Sequence, residues 1–432
     1  MKSRRVVLRP DLLCAAILFC FSAGAAAQSD PVLTLEQALK AADAPHPDLQ
    51  IAQAERDMAL ADQEEVSAQG DLSVALESRL QRVKLSPAGS DYLSDNSVGL
   101  VARKNLFDFG RSAHAEGAAR AVVKARDLDL IDARDQRRID IMARYFDVLL
   151  ADLHYAVDNE YMAVAYVTFD NARDRFEQKL ISRVDLTELE ANYQDALVKR
   201  NASQKRQRIT RALLAEAMNQ PGQLVSDLED PKLAGNNRVL PAYEDLLALL
   251  EHNPQLEADK QLLEASRQRL NAVRAETHPS LDAEIDTTDY ANRDLSRRAA
   301  VRAGLILSWP IYQGRRVSSQ LAKEQAQFYK LQAETEKRKR SLSQALLDTW
   351  LEAEQLQKTA RNAAKIQADY RDLVLDRARG QYEVELRTNL GTSMAATVEA
   401  TLRQRAVEYQ LALALAKLDA LLGQPLPQRA TK

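Results

Sequence analysis

Residues able to do chemistry are present in this chain, but they do not assemble into a reactive set. The five histidines, His46, His114, His154, His252 and His278, are scattered, and His46 and His278 each precede a proline, where a helix cap or a turn accounts for them better than proton transfer. A general base works only with a partner held in hydrogen-bond reach. No His-Glu-x-x-His pair, Gly-x-Ser-x-Gly elbow or phosphate loop supplies one. Glu64-Glu65 and the Asp127/Asp129 pair read as solvated helix faces. Asp282, Glu284 and Asp286 alternate with Leu281, Ala283 and Ile285, so in a strand the three carboxylates share one face. A metal site is one reading of them and a wet wall the preferred one. The expectation is a protein that is not an enzyme and takes no cofactor or metal.

The elements that carry these residues are long helices. Glycine is absent from 118–221 and 315–379, and proline from 88–220 and 311–424. Stretches of more than 60 residues without either breaker exclude sandwiches, propellers and ordinary α/β enzymes. The charges nearly cancel, 59 Lys+Arg against 62 Asp+Glu, so no basic surface argues for nucleic acid. Lys2, Arg4, Arg5 and Arg9 precede an apolar run over 12–21 and the small residues Ala25-Ala26-Ala27, the pattern of an export signal over 1–27. Cys14 and Cys20 both fall inside it, which leaves no thiol chemistry for the exported part. No other apolar run is long enough for a membrane helix, so entry into a membrane requires a β-barrel.

The chain repeats itself. Leu106-Phe107-Asp108-Phe109-Gly110-Arg111 and Pro310-Ile311-Tyr312-Gln313-Gly314-Arg315 stand 204 residues apart, as do Gln220-Pro221 and Gln424-Pro425. The openings match as well, His46-Pro47-Asp48-Leu49 with Asn253-Pro254-Gln255-Leu256. The expected division is 28–230 and 231–426, with a short tail over 427–432. Each half reads as helix, two strands, long helix, turn and second helix. Strands are expected at about 72–83, 97–107, 280–290 and 299–309, where apolar and polar residues alternate with the period of a membrane strand. Val301, Leu305, Leu307 and Trp309 are expected on the lipid face, with Ile306 facing the interior. Two helical seams stand out. One runs through Ile139, Met142, Phe146, Leu149, Leu153 and Ala156, the other through Ala395, Val398, Leu402, Ala406, Tyr409, Leu413, Ala416 and Ala420. A further stripe, Ala143, Leu150, Val157 and Val164, lies beside the first, and a helix with two adjacent seams suits a closed ring of helices.

With this duplicated plan and the two post-strand motifs, the sequence resembles the TolC-like outer-membrane efflux proteins over essentially all of 31–426. The resemblance implies a mainly α fold with a membrane β-barrel part. Long coiled-coil helices would form a hollow barrel, and a homotrimer would share one 12-stranded barrel, four strands from each protomer. It implies an exit duct for efflux or type I secretion in the outer membrane of a Gram-negative bacterium, extending into the periplasm. The implied partners are a periplasmic adaptor (membrane fusion) protein, an inner-membrane pump or ABC transporter, and outer-membrane lipid. The family's hairpins turn at an aromatic-Glu-x-Gly-x-x-Ser-x-x-Asp motif. Here it is met by Phe176-Glu177-Gln178-Lys179-Leu180-Ile181-Ser182-Arg183-Val184-Asp185, turning near 176–186, and by the segment from Tyr382 to Gly391, turning near 382–391. The motif's glycine is replaced by Lys179 and Glu385, and its second Asp by Gly391. Carried over residue by residue, the family's periplasmic gate would be Tyr382 and Arg387 bonded to Asp185. The other reading of the residues is a soluble periplasmic coiled-coil adaptor or structural protein.

Overall fold

The computed structural model describes residues 32–84, 92–222, 227–290, 301–383 and 389–426. Thr34 and Gln37 form a capping box that opens α1 (Leu35–Lys40). A short 3-10 turn (Ala41–Asp43) leads to α2 (Pro47–Ala68), where His46 Nδ1 accepts from the Asp48 amide at 3.2 Å and Pro47 sits in the first turn. The second half begins in the same way. After α3 (Arg111–Glu177), α4 (Arg183–Ala217) and α5 (Tyr243–Leu249), Asn253 caps α6 (Pro254–Ala275) through the Leu256 amide at 3.1 Å. The second long helical run is α7 (Arg316–Gln355), a π turn (Leu356–Ala360) and α8 (Arg361–Glu383), followed by α9 (Leu390–Leu422).

The strands are β1 (Ser73–Arg79), β2 (Arg82–Val83), β3 (Leu93–Ser94), β4 (Ser97–Phe107), β5 (Ser280–Tyr290) and β6 (Val301–Ser308). Four of them make one antiparallel sheet in the order β1-β4-β5-β6, and β2 and β3 form a separate ribbon. A bulge between Asn105 and Phe107 shifts the β4 register near its end. Among the described residues the sheet is not closed, so β1 and β6 are its two edges. Among the described residues, no helix is long and apolar enough to cross a membrane.

α3 is the hub. It packs along α2, α4, α6 and α9, while α7 packs on α6 and α9 and α8 on α9. One core joins α5, α7 and α9 through Leu246, Leu346, Leu411, Leu415, Leu418 and Leu422. The other joins α1, α3 and α4 through Ala38, Ile141, Tyr145, Phe146, Leu214 and the stacked ring of Tyr409. The expected α9 seam holds at Ala395, Leu402 and Tyr409, which are buried, and shifts beyond Tyr409. Its fully buried stripe is Leu411–Leu415–Leu418–Leu422, and Leu413 and Ala416 lie partly buried against the α3 core. Arg137, buried on α3, donates to the carbonyls of Ala41, Ala42 and Ala217 and so caps two helix ends at once. Burial pushes its pKa down from the usual arginine value. The link between the halves passes over this core, and the Tyr145 hydroxyl lies 2.9 Å from Leu33 O and 2.5 Å from Glu229 O. Its phenol is pushed up to about 12 by burial, which keeps it a neutral donor.

Candidate conduit wall and hairpin tip

Strand alternation gives the sheet two unlike faces. On one, Arg103 Nε donates to Glu284 Oε2 at 2.6 Å and its Nη1 lies 3.5 Å from Glu77. Arg302 grips Asp286 through Nε and Nη2 at 3.0 Å each, and Asn105 Nδ2 donates to Asp282 at 2.7 Å. The three carboxylates singled out by their spacing are thus each engaged by a partner on the same face. Among the described residues, no group of His, Cys, Asp and Glu is arranged to hold a metal. The opposite face carries Val74, Leu76, Leu100, Ile285, Val301, Leu305 and Leu307, all exposed in the single chain. Ile306 pairs with Asp282 and lies on the polar face, whereas Leu305 pairs with Ala283 and Leu307 with Leu281 on the apolar one. Trp309 follows directly after β6 and is 65 % exposed. A sheet that is apolar on one side, ionic on the other and unpaired at both edges is incomplete in water and in lipid alike.

At the far end of the long helices, the α3–α4 turn is a Schellman motif. Leu180 N donates to Arg175 O and Lys179 N to Phe176 O, both at 2.8 Å. Lys179 takes a left-handed backbone with φ +58°, the conformation the motif's glycine would adopt without strain. Ser182 caps α4, and its hydroxyl donates to Asp185 Oδ2 at 2.8 Å while the Asp185 amide donates back to it at 3.2 Å. The Asp185 carboxylate is therefore occupied within its own hairpin. Phe176, Leu180 and Val184 are exposed around it. In the second hairpin Tyr382 is exposed near the end of α8, and Arg387 and Glu385 lie outside the described residues. Gly391 is in α9 rather than in the turn. A Cβ there would approach Val164 of α3 to 2.8 Å, so the glycine serves close helix packing.

The two hairpins are bonded higher up, at residues the sequence reading passed over. Tyr161 of α3 donates to Glu399 Oε2 of α9 at 2.9 Å, and Arg403 Nη2 reaches Glu399 Oε1 at 2.5 Å. The Tyr161 hydrogen bond holds the Glu399 carboxyl below its usual range. The missed signal was an i,i+4 Glu–Arg pair on α9, an arrangement too common on helix surfaces to single out.

Comparison with known proteins agrees with this geometry. Residues 246–424 match the family model described as outer membrane efflux protein. The outer membrane efflux protein BepC of Brucella suis is 23 % identical over 270 residues, covering 61 % of this chain and 58 % of BepC. Over these residues the chain is similar in sequence to the outer membrane efflux proteins. That match spans little more than half of BepC, while the fold extends further. The outer membrane protein VceC of Vibrio cholerae superposes with a TM-score of 0.72 at 16 % identity, over 90 % of this chain and 96 % of VceC. The CmeC outer membrane channel of Campylobacter jejuni gives 0.72 at 13 % identity, over 92 % and 87 %. The MtrE outer membrane channel of Neisseria gonorrhoeae, solved in its open state, gives 0.71 at 18 % identity, over 92 % and 91 %. The chain therefore shares the expected mainly α fold with these solved structures over about nine tenths of its length.

Proposed function

We propose that this chain is the outer-membrane exit duct of a tripartite efflux or type I secretion system. It is a passive conduit whose sheet lies in the outer membrane and whose helices extend into the periplasm. The observation that carries the reading is the four-stranded sheet, apolar on one face, ion-paired on the other, and open at both edges. Lipid forbids an open edge, since every unpaired backbone group there costs several kcal/mol. Several copies must therefore close one barrel, and three copies give the 12 strands that the family resemblance implies. The ionic face then lines a wet lumen, and Val301, Leu305, Leu307 and Trp309 meet lipid. At the other end the hairpin tips form the narrow opening, with the exposed Phe176, Leu180 and Val184 offered to a periplasmic adaptor that links the duct to an inner-membrane pump or ABC transporter. Tyr382 and Arg387 are proposed to latch this tip against Asp185. In that latch Asp185 would use the oxygen that its Ser182 cap leaves free. A soluble adaptor has less in its favour, because the similar folds that span about nine tenths of the chain are outer-membrane proteins. Fractionation tests the reading. The chain should pellet with the outer membrane and extract as a heat-dissociable trimer, whereas a soluble monomer in the periplasmic fraction would contradict it.

A further inference from the structure

The hairpin of β1 and β4 carries on past the four-stranded sheet. Arg79 stands opposite Ser97 at the end of β1, and the ribbon pairs Arg82 with Ser94 and Val83 with Leu93 in the same register. Between the two pieces the Asp95 amide donates to Gln81 O at 2.9 Å, and Gln81 Nε2 donates to Asp95 Oδ2 at 2.7 Å. Side chains alternate along a strand, so an unbroken register keeps every second residue on one face. On β1 and its continuation that face reads Val74, Leu76, Ser78, Leu80, Arg82 and Lys84. It is the face proposed above to meet lipid, and it stays apolar as far as Leu80, which is 80 % exposed. Then it turns cationic.

The helix end of the same face is marked as well. Ser73 and Ser280 open β1 and β5 and stand opposite Arg103 and Ser308. The residues that follow, Lys104 and Trp309, therefore hold equivalent places in the two halves. Lys104 lies one step beyond the Ser73–Arg103 pair, level with position 72, and from 72 to 82 the register runs ten residues. Ten residues span about 34 Å along a strand, at about 3.4 Å each. A strand tilt of about 35–45° reduces this to a height of about 24–28 Å, against an apolar band of about 25 Å in outer-membrane barrels. Arg82 and Lys84 thus stand where hydrocarbon gives way to headgroups, on the side away from the helices.

Nothing in the chain neutralises them there. Among the described residues neither Arg82 nor Lys84 has a carboxylate partner. Lys84 Nζ lies 5.7 Å from the centroid of the Tyr92 ring, itself 66 % exposed. A ring steadies an ammonium through its quadrupole and leaves the charge uncancelled. The carboxylate that β5 carries on this face, Asp289, stands opposite Val98. That is two strands and four residues away from Arg82, or about 17 Å by the usual spacings. Residues two apart on a strand lie about 7 Å from each other, so both cationic heads reach one anion or two adjacent ones. A guanidinium fork beside an ammonium is the chemistry that recognises phosphate oxygens.

We infer that Arg82 and Lys84, with Tyr92 beside them, bind the phosphate groups of a phosphorylated glycolipid in the outer leaflet. Its acyl chains would run along Leu76 and Leu80. This rests on the outer-membrane reading proposed above and adds a specific lipid contact to it. A free phosphate has the same charge but nothing to lay on the apolar strip below the cations, so the lipid is the occupant that uses both parts of the face.

The full chain, extracted as trimers and stripped of lipid in a neutral detergent, is titrated with purified lipid A, and bound lipid is counted by native mass spectrometry. The parent chain should prefer lipid A over its dephosphorylated form. Arg82→Gln with Lys84→Gln should weaken lipid A binding about tenfold, the loss of two exposed charge-assisted contacts. Arg82→Lys with Lys84→Arg keeps both charges and should restore most of it. Inorganic phosphate in large excess should leave lipid A bound, and displacement by phosphate alone would overturn the lipid assignment. Intact trimers that bind equally with and without the two cations, or that ignore dephosphorylation, overturn the site and leave the duct standing. The dephosphorylated comparison uses the parent chain, so it decides even if the glutamine variant fails to accumulate. A parent chain recovered only as a soluble monomer overturns the site and the duct together.

Discussion

Lys179 occupies a left-handed position that costs a side-chain-bearing residue about 1–2 kcal/mol. Glycine would relieve that cost while adding some backbone entropy to the unfolded chain. Lys179→Gly should therefore stabilise the first hairpin by about 0.5–1 kcal/mol. Hydrogen exchange of the α3–α4 tip should slow, and a faster exchange would mean that the lysine makes a contact worth more than its strain. On the sheet, Leu305 and Ile306 are neighbours in sequence and opposite in face. Leu305→Arg should cost about 2–4 kcal/mol on the lipid side and block insertion, whereas Ile306→Arg should be tolerated in the lumen. Outer-membrane yield of the two variants separates these outcomes, and equal damage from both would mean the faces are assigned wrongly. These faces were legible from alternation alone, because a strand has only two sides. The role of Asp185 was not, since a serine three residues before an aspartate serves equally as a cap or as one side of a latch. Arg137 gave no sequence signal either, because a lone arginine among charged helix residues looks the same whether buried or solvated.

At the scale of elements, the long helices were legible from the missing glycines and prolines, and the turns from the motifs that repeat at 204. Gly110 and Gly314 both have positive φ, as do Asn219 and Gly423 at the other end of the repeat, so the repeated motifs mark the places where the backbone must turn left-handed. The α9 seam was harder to place because residues 411–416 are apolar without interruption, and such a helix offers a stripe in every register. The π turn in the second long helix leaves no pattern that a 3.6-residue period would reveal. The Tyr161–Glu399 bond ties α3 to α9, and its loss in Tyr161→Phe should cost about 1 kcal/mol. Glu399 has a lowered pKa in the folded chain, so its contribution is full above the ordinary glutamate range near about pH 4.3 and is lost as pH falls through the lower folded value. Acid should loosen the α3–α9 contact in the parent chain, and Tyr161→Phe should flatten that dependence. An unchanged acid profile, read by denaturation across pH 3–6, would remove this bond from the account. Nearer the tip, Tyr382→Phe with Arg387→Ser should raise single-channel conductance while trimer yield stays constant. Unchanged conductance with intact trimers would take Tyr382, Arg387 and Asp185 out of the gate.

For the whole molecule, the fold class could be read before any coordinates, because long breaker-free stretches beside four alternating segments call for long helices with a few strands. What the sequence could not supply was which of two equivalent helix faces is covered within the chain, since exposure is a property of the folded chain and not of the pattern. Ile51 and Ala258 look equally at home on an apolar helix face until one is seen buried and the other bare. A water-filled duct through the outer membrane, as proposed for this chain, must pass ions. Planar-bilayer recording of the purified, membrane-extracted particle tests it most directly. Discrete conductance steps are expected, with no requirement for nucleotide. They should disappear when Leu305→Arg blocks insertion. Extracted particles that enter the bilayer as intact trimers, with β-structure preserved, and conduct no ions even with Tyr382→Phe and Arg387→Ser in place would contradict it.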